Sequence, residues 1–434
     1  MATKEIGIGI VGFGTVGAGV VETLQRNGAL LAERTGVRLA LRGIADLDLE
    51  RDRGVTVDRA LLTTDAAGLI AREDVQVVVE LIGGTGVART LTQDALQAGK
   101  AVVTANKALL AEHGAELYAV AQAHHADWLF EASVGGGIPI IRALREGLVA
   151  NRIHRICGIL NGTCNYILTR MEREQAPFDT VLQAAQAAGY AEAEPSLDID
   201  GWDTAHKAVI LATHAFGRLV RMEDVRVEGI RDIDPMDIEL AAGLGYRIKL
   251  LAVIQRGPEG LDVRVHPALI PHDHVLAEIG GVFNAVLVDG DVVGQTLYYG
   301  RGAGREPTAS AVVADIVDAA RNQASGEPGR IPAFVALNGE IPLQPPASVQ
   351  TRYYLRLSLR DIPGMFGRVA EILGRHAISI ASVMQKEQQT GEYVPVIMLT
   401  HAAPEGAFQA ALTEIDALHE TGAPTIRYRV EDHA

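Results

Sequence analysis

Between Gly189 and Lys207 the sequence reads GYAEAEPSLDIDGWDTAHK: five carboxylates, Glu192, Glu194, Asp198, Asp200 and Asp203, followed by a lysine four positions past the last. Carboxylates recognise an ammonium group, and a lysine brings positive charge and a proton to a carbonyl or hydroxyl oxygen. The pattern WDTAHKAVILATHAF is helical, so Asp203 and Lys207 share one face, one turn apart. Ala208, Val209, Leu211 and Ala212 beside them predict a largely buried helix, and a buried charge must pair or bind something charged. A small zwitterion meets that demand, its ammonium against a carboxylate such as Glu192. An exposed acidic loop closed by an ordinary i,i+4 pair would use the same letters; burial of position 207 separates the two readings.

A second group lies at the N-terminus. IGIVGFGTVGAGV places Gly12, Gly14 and Gly17 in a G-x-G-x-x-G pattern, with Phe13, Thr15 and Val16 between them, after an apolar strand and at the start of a helix. Such glycines let the backbone approach a pyrophosphate lying on the helix N-terminus, where free N–H groups and the dipole favour anions. A glycine-rich structural turn is the alternative. Asp46, after the next strand, suits the ribose hydroxyls of NAD, whereas Arg51 and Arg53 suit the 2′-phosphate of NADP, so the coenzyme is left as NAD or NADP. VVTANKALLA sets Thr104, Asn106 and Lys107 at the carboxyl end of a further strand, where ligands of open α/β sheets bind. A lysine opposes the dipole at a helix start, which implies a role beyond the helix, although a solvated lysine would read the same way.

These residues need a scaffold. Over residues 1–130 short apolar strands alternate with helices at 16–32 and 88–98, the pattern of a parallel, doubly wound sheet. Residues 131–308 turn longer and mixed, with helices near 179–188, 203–216 and 235–243 and strands at KLLAVIQ and DVRVHPALI, which predicts an α+β domain. A helix at 309–321 begins a segment, 309–325, expected to return to the first domain, and proline-rich 326–350 reads as a linker. Residues 351–434 restart as βαββαβ, a ferredoxin-like sandwich, whose first helix carries the stripe Phe366, Val369, Ala370 and Leu373. The fold class is therefore α/β with a Rossmann-type sheet, a central α+β domain and a ferredoxin-like tail.

The 434 residues carry a formal charge of -15, which argues against nucleic acid or an anionic membrane as partner. No apolar run is long enough to span a bilayer and the chain enters a strand pattern within five residues, so a soluble, cytoplasmic protein is expected. Cys157 and Cys164 have neither zinc nor disulfide-framework spacing and read as buried free thiols. His266, His272 and His274 in HPALIPHDH read as a loop rather than a metal site. His124 and His125 are expected late in a helix, and His206 off the reactive face.

In order and spacing, GFGTVG, NKALLA, EASVGGGIPIIRAL, GILNGTCNYILTRM, the 189–207 stretch and GRGAGREPTASAVVADI resemble the homoserine dehydrogenase family over residues 5–320, and LRDIPGMFGRVAEIL resembles an ACT domain. The resemblance implies NAD(P)-dependent interconversion of L-aspartate 4-semialdehyde and L-homoserine on the way to threonine and methionine. It matches Lys207 and Asp203 to the catalytic pair, Lys107 to a lysine beside nicotinamide and substrate, and Glu192 and Asp198 to substrate-holding carboxylates. RGAGREPTAS, glycine-rich and ahead of a helix, reads as a segment, including Gly304, that closes over the coenzyme. Glu131 and the backbone oxygens of Val134, Gly136 and Ile138 match a structural, sodium-like cation site; a loop so rich in glycine also reads as a plain hinge. The central domain would bind substrate and build a homodimer or homotetramer. The turn from Asp361 to Gly364 would bind threonine at paired ACT modules, or those modules would only oligomerise. Lysine titrates near ~10.4, and burial or Lys107 would lower that value while Asp203 would raise it. The rivals are a dehydrogenase of sugars or imines and a regulatory protein that senses NAD(P) without turnover.

Overall fold

The computed structural model describes residues 4–330, 341–385 and 392–432. Two compact units divide the chain out of sequence order. One contains Met1–Ile153, Ala205–Val225 and Phe283–Glu340; the other contains His154–Thr204, Arg226–Val282 and Ile341–Ala434.

The first unit is built on six parallel strands, ordered Leu62–Thr63, Val37–Ala45, Lys4–Val11, Val77–Glu80, Ala101–Thr104 and Trp128–Leu129. The order reverses between Lys4–Val11 and Val77–Glu80, which opens a crevice at their carboxyl ends. Ile8, Ile10, Val77 and Val79 are fully buried, as strands covered on both faces must be. The helices Thr15–Thr35 and Arg305–Ser325 pack together on this sheet. The second of these is longer than the sequence pattern indicates at both ends, because Pro307 falls in its first turn, where a proline is tolerated, and left-handed Gly326 ends it. The helix Lys107–Ala123 stops before His124, and His125 takes a positive φ of 51°, so neither histidine is in the helix as expected.

In the second unit the strands run Ile153–Ile159, Tyr246–Arg256, Leu261–Pro271, Thr421–Val430, Gln350–Arg360, Tyr393–Thr400 and Ile380–Gln385. The last four, with helices Met365–Arg375 and Glu405–Asp416, make the βαββαβ sandwich. Its closing strand also pairs in parallel with the central sheet, Ala268 opposite Arg429 and Leu269 opposite Val430. Ion pairs reinforce that seam. Asp237, fully buried, accepts from Arg356 Nε and Nη2 at 2.6 and 2.8 Å and from the Tyr354 hydroxyl at 3.0 Å. Arg429 meets Glu405 at 2.6 Å, and Arg155 meets Glu431.

Two expectations change here. The buried stripe of Met365–Arg375 is Met365, Val369, Ile372 and Leu373, whereas Phe366 is 40% exposed and Ala370 faces outward. The helix begins directly after left-handed Gly364, and the i, i+4, i+7, i+8 face is the one that reaches the sheet. His266 lies within the strand Leu261–Pro271 rather than in a loop, while His272 and His274 follow it. Of the linker expected at 326–350, residues 331–340 lie outside the described residues; past them Gln344 N donates to Leu261 O at 2.9 Å, so that end is pinned to the sheet.

Candidate active site

At the crevice of the first unit, Gly12 has φ 105°, and a Cβ at Gly17 would stand 2.2 Å from the Gly12 carbonyl oxygen. Glycine is required at both positions for strand and helix to meet this closely. No side chain caps the helix Thr15–Thr35 at Gly14, so its first N–H groups face the crevice end as anion donors. A cleft of about 480 Å³ lies beside them, lined among others by Gly12, Gly14, Asp46, Leu47, Thr64 and Ile82. Asp46 Oδ2 accepts from Phe13 N at 2.5 Å, and its Oδ1 accepts from Asp48 N at 2.9 Å and Arg53 Nη2 at 3.2 Å. The Arg53 guanidinium also donates to the Phe13 carbonyl and lies 4.9 Å over the Phe13 ring. Of the two arginines singled out, Arg53 therefore sits on Asp46; Arg51 is exposed, its carbonyl accepting Arg53 Nη1 at 2.7 Å. Past Gly304, Arg305 Nη1 donates to the Arg53 carbonyl at 3.0 Å, which brings the returning segment against the loop that follows Asp46.

One organiser of this crevice was missed by sequence reasoning. Glu80 ends the apolar run VVVE, is 1% exposed, and accepts from Thr104 Oγ1 at 2.7 Å and from Ile82 N and Gly83 N at 2.9 and 3.3 Å. Burial raises its pKa, opposed by those donors. The signal was a carboxylate at the end of a parallel strand, where a buried charge needs a purpose. Thr104 Oγ1 in turn accepts Asn106 N at 2.9 Å, and Asn106 caps the helix Lys107–Ala123 through Leu109 N at 3.1 Å. Lys107, half-buried, is the first residue of that helix.

Glu131 is buried, its two oxygens accepting from Ile141 N at 2.9 Å and Arg142 N at 2.7 Å, and its own N–H donates to Asp315 Oδ2 at 2.7 Å. Burial raises the pKa of both carboxyls, Asp315 to about 8 with the Glu131 charge adding to the effect. Each Glu131 oxygen keeps a second lone pair. Glu131 and the carbonyls of Val134, Gly136 and Ile138, expected from sequence as cation ligands, are all hard oxygens, the donor type that suits a hard cation. The Ile138 carbonyl also accepts Ile140 N at 2.8 Å.

The lysine helix, Trp202–Phe216, begins in the second unit and continues in the first, the division falling between Thr204 and Ala205. Asp203 is 3% and Lys207 8% exposed, so the exposed-loop reading of the acidic stretch does not hold at its C-terminal end. Asp198 and Asp203 are brought together by Asn161, whose amide nitrogen donates to Asp198 Oδ1 at 2.7 Å and Asp203 Oδ2 at 2.9 Å. The other carboxylates go elsewhere: Asp200 pairs with Arg231, Glu194 with the Ser196 hydroxyl, and Glu192 is exposed. His206 is half-buried, and Cys157 and Cys164 are buried free thiols.

Residues 139–317 match the family described as homoserine dehydrogenase, residues 12–131 its NAD-binding domain and residues 353–420 the ACT domain. The homoserine dehydrogenase of Neisseria gonorrhoeae is 44% identical over 434 residues, covering 99% of each chain. The chain belongs to the homoserine dehydrogenase family. The crystal structure of a homoserine dehydrogenase from Thiobacillus denitrificans superposes with a TM-score of 0.94 at 45% identity, over 99% of each chain. A hyperthermophilic archaeal homoserine dehydrogenase solved in complex with NADPH matches at 29% identity with a TM-score of 0.62, covering 73% of this chain and 97% of its own. As a member of the homoserine dehydrogenase family, this chain is an NAD(P)-dependent oxidoreductase with an ACT domain at its C-terminal end. Among the described residues no helix is long and apolar enough to cross a membrane.

Proposed function

We propose that the chain interconverts L-aspartate 4-semialdehyde and L-homoserine, on the way to threonine and methionine, with Lys207 as the group that meets the reacting oxygen. The observation that carries this reading is a lysine 8% exposed, one helical turn past a buried aspartate, in the same compact unit as the glycine-loop crevice. The nicotinamide coenzyme supplies the hydride that the aldehyde carbon accepts. The aldehyde oxygen then gains negative charge, and an ammonium beside it stabilises that charge and delivers the proton, directly or through one water. Asp203 lies one helical turn before Lys207, and Lys107 adds a second cation beside nicotinamide and substrate. Glu192 and Asp198 receive the substrate ammonium. Gly12 to Gly17, Asp46, Arg51, Thr104, Lys107 and Gly304 seat the coenzyme, NADP or NAD. Glu131 with the carbonyls of Val134, Gly136 and Ile138 holds a structural monovalent cation.

At the ACT domain, Asp361 is exposed and Gly364 is left-handed at φ 87°, a strand-to-helix turn suited to a small amino acid. Threonine acts there as feedback effector, in a cytoplasmic homodimer or homotetramer. The reading is tested by initial rates of purified chain with aspartate semialdehyde and NADPH or NADH, beside a panel of sugar aldehydes and imines. Turnover restricted to the semialdehyde is expected; absence of turnover with either coenzyme overturns the reading. Unchanged rates and Tm across a threonine titration remove the regulatory part.

A further inference from the structure

We infer that Asn161 is a positioning residue for the reaction: its one side-chain amide yokes Asp198 to Asp203 and so sets the carboxylate that precedes Lys207. The inference rests on the proposed roles of Asp203 and Lys207. Asn161 is 5% exposed and all its hydrogen-bonding groups are committed. Oδ1 accepts from Cys164 N at 2.8 Å, capping the helix Gly162–Glu174, and Nδ2 donates to Asp198 Oδ1 at 2.7 Å and Asp203 Oδ2 at 2.9 Å. A flipped amide would set its oxygen against two carboxylates, so the orientation is fixed by chemistry. The Cys164 thiol adds a hold on the Asp198 carbonyl at 3.2 Å, so the start of this helix grips both the side chain and the backbone of that residue.

The choice of asparagine has a physical reason. Two carboxylates sharing one donor nitrogen repel, and each would take up a proton more readily for it. A guanidinium would cancel their charge, as Arg231 does for Asp200. A neutral amide holds both without cancelling their charge, and so orients Asp203 one turn before Lys207 on the same helix. Aspartate at 161 would also cap the helix but would bring a third negative charge; serine would cap it without supplying two donors.

Asn161→Ser separates these functions, because the cap survives and the yoke does not. The expected result is a Tm within ~3 °C of wild type, a fall in kcat of at least ~10-fold with the coenzyme KM held within about twofold, and an acid limb of the kcat–pH profile displaced upward by ~0.5 unit or more. Asn161→Asp displaces that limb further. Wild-type kcat and pH profile in Asn161→Ser would overturn the inference and leave the functional reading standing. So would a loss of activity that tracks Tm in both variants with no movement of the acid limb, the mark of a merely structural asparagine. If the wild-type enzyme itself fails to reduce aspartate semialdehyde, the functional reading falls, and this inference with it.

Discussion

The two units handle buried carboxylates differently. In the first, the hydrogen bonds to Glu80, Glu131, Asp127 and Asp315 come from neutral donors, the Thr104 hydroxyl, the Asn322 amide and backbone N–H groups, with the Arg142 guanidinium only at 3.9 Å from Asp315. Burial raises the pKa of all four. In the second, Asp237, Glu405 and Glu431 lie against guanidinium groups. Glu405 ends below its usual range although burial pushes it up, because the Arg429 hydrogen bond and charge outweigh that push. Asp262 is the exception, raised by burial in spite of Arg264 at 2.8 Å. Neutral donors orient a carboxyl without offsetting the cost of burying its charge, whereas ion pairs use that charge to join sheets. Asn161 is likewise a neutral donor inside the second unit, to Asp198, proposed to hold substrate, and to Asp203, which precedes Lys207.

The largest effect that would break this contrast lies at the ion-paired seam. Asp237→Ala leaves the Arg356 guanidinium and the Tyr354 hydroxyl without a buried acceptor and is expected to cost about 3–5 kcal/mol in denaturant unfolding; a change under ~1 kcal/mol would show that the seam is not held by charge. Asp315→Asn should act with the opposite sign. A carboxyl raised from 3.8 to about 8 contributes stability that is complete below 3.8 and is lost as pH rises toward 8. The variant should therefore gain on wild type by about 3–4 kcal/mol between pH 5 and pH 8, read from Tm at both values, and a constant difference would refute the assignment. The smallest effect is at the rotated stripe of the ACT helix: Phe366→Ala should change stability by less than ~0.5 kcal/mol, while Val369→Ala costs about 1–3 kcal/mol. The reverse order would restore the stripe read from sequence.

Much of the scaffold could be read from local pattern, because parallel strands buried on both faces and a glycine loop between strand and helix leave short-range signatures. The βαββαβ tail was legible for the same reason. The Met365–Arg375 stripe was misjudged by one face, since Phe366 and Ile372 are equally apolar and only the sheet decides between them. Lys207 and Asp203 declared themselves by helical spacing. Asn161 did not, because its partners lie 37 and 42 residues away. Glu80 was hidden at the end of a run that reads as pure core. Nor could local pattern give the junction of Thr421–Val430 with the central sheet, which joins residues far apart in the chain. Arg53 on Asp46 likewise depends on how a loop folds back.

The central claim is that an ammonium sheltered from bulk water at position 207 serves the reacting oxygen. It is tested most directly by kcat for aspartate semialdehyde reduction in Lys207→Ala beside wild type, with coenzyme affinity measured by fluorescence titration of the same preparations. The account predicts a loss of about 10³-fold in kcat with coenzyme binding and Tm retained. A kcat within about fivefold of wild type would contradict it.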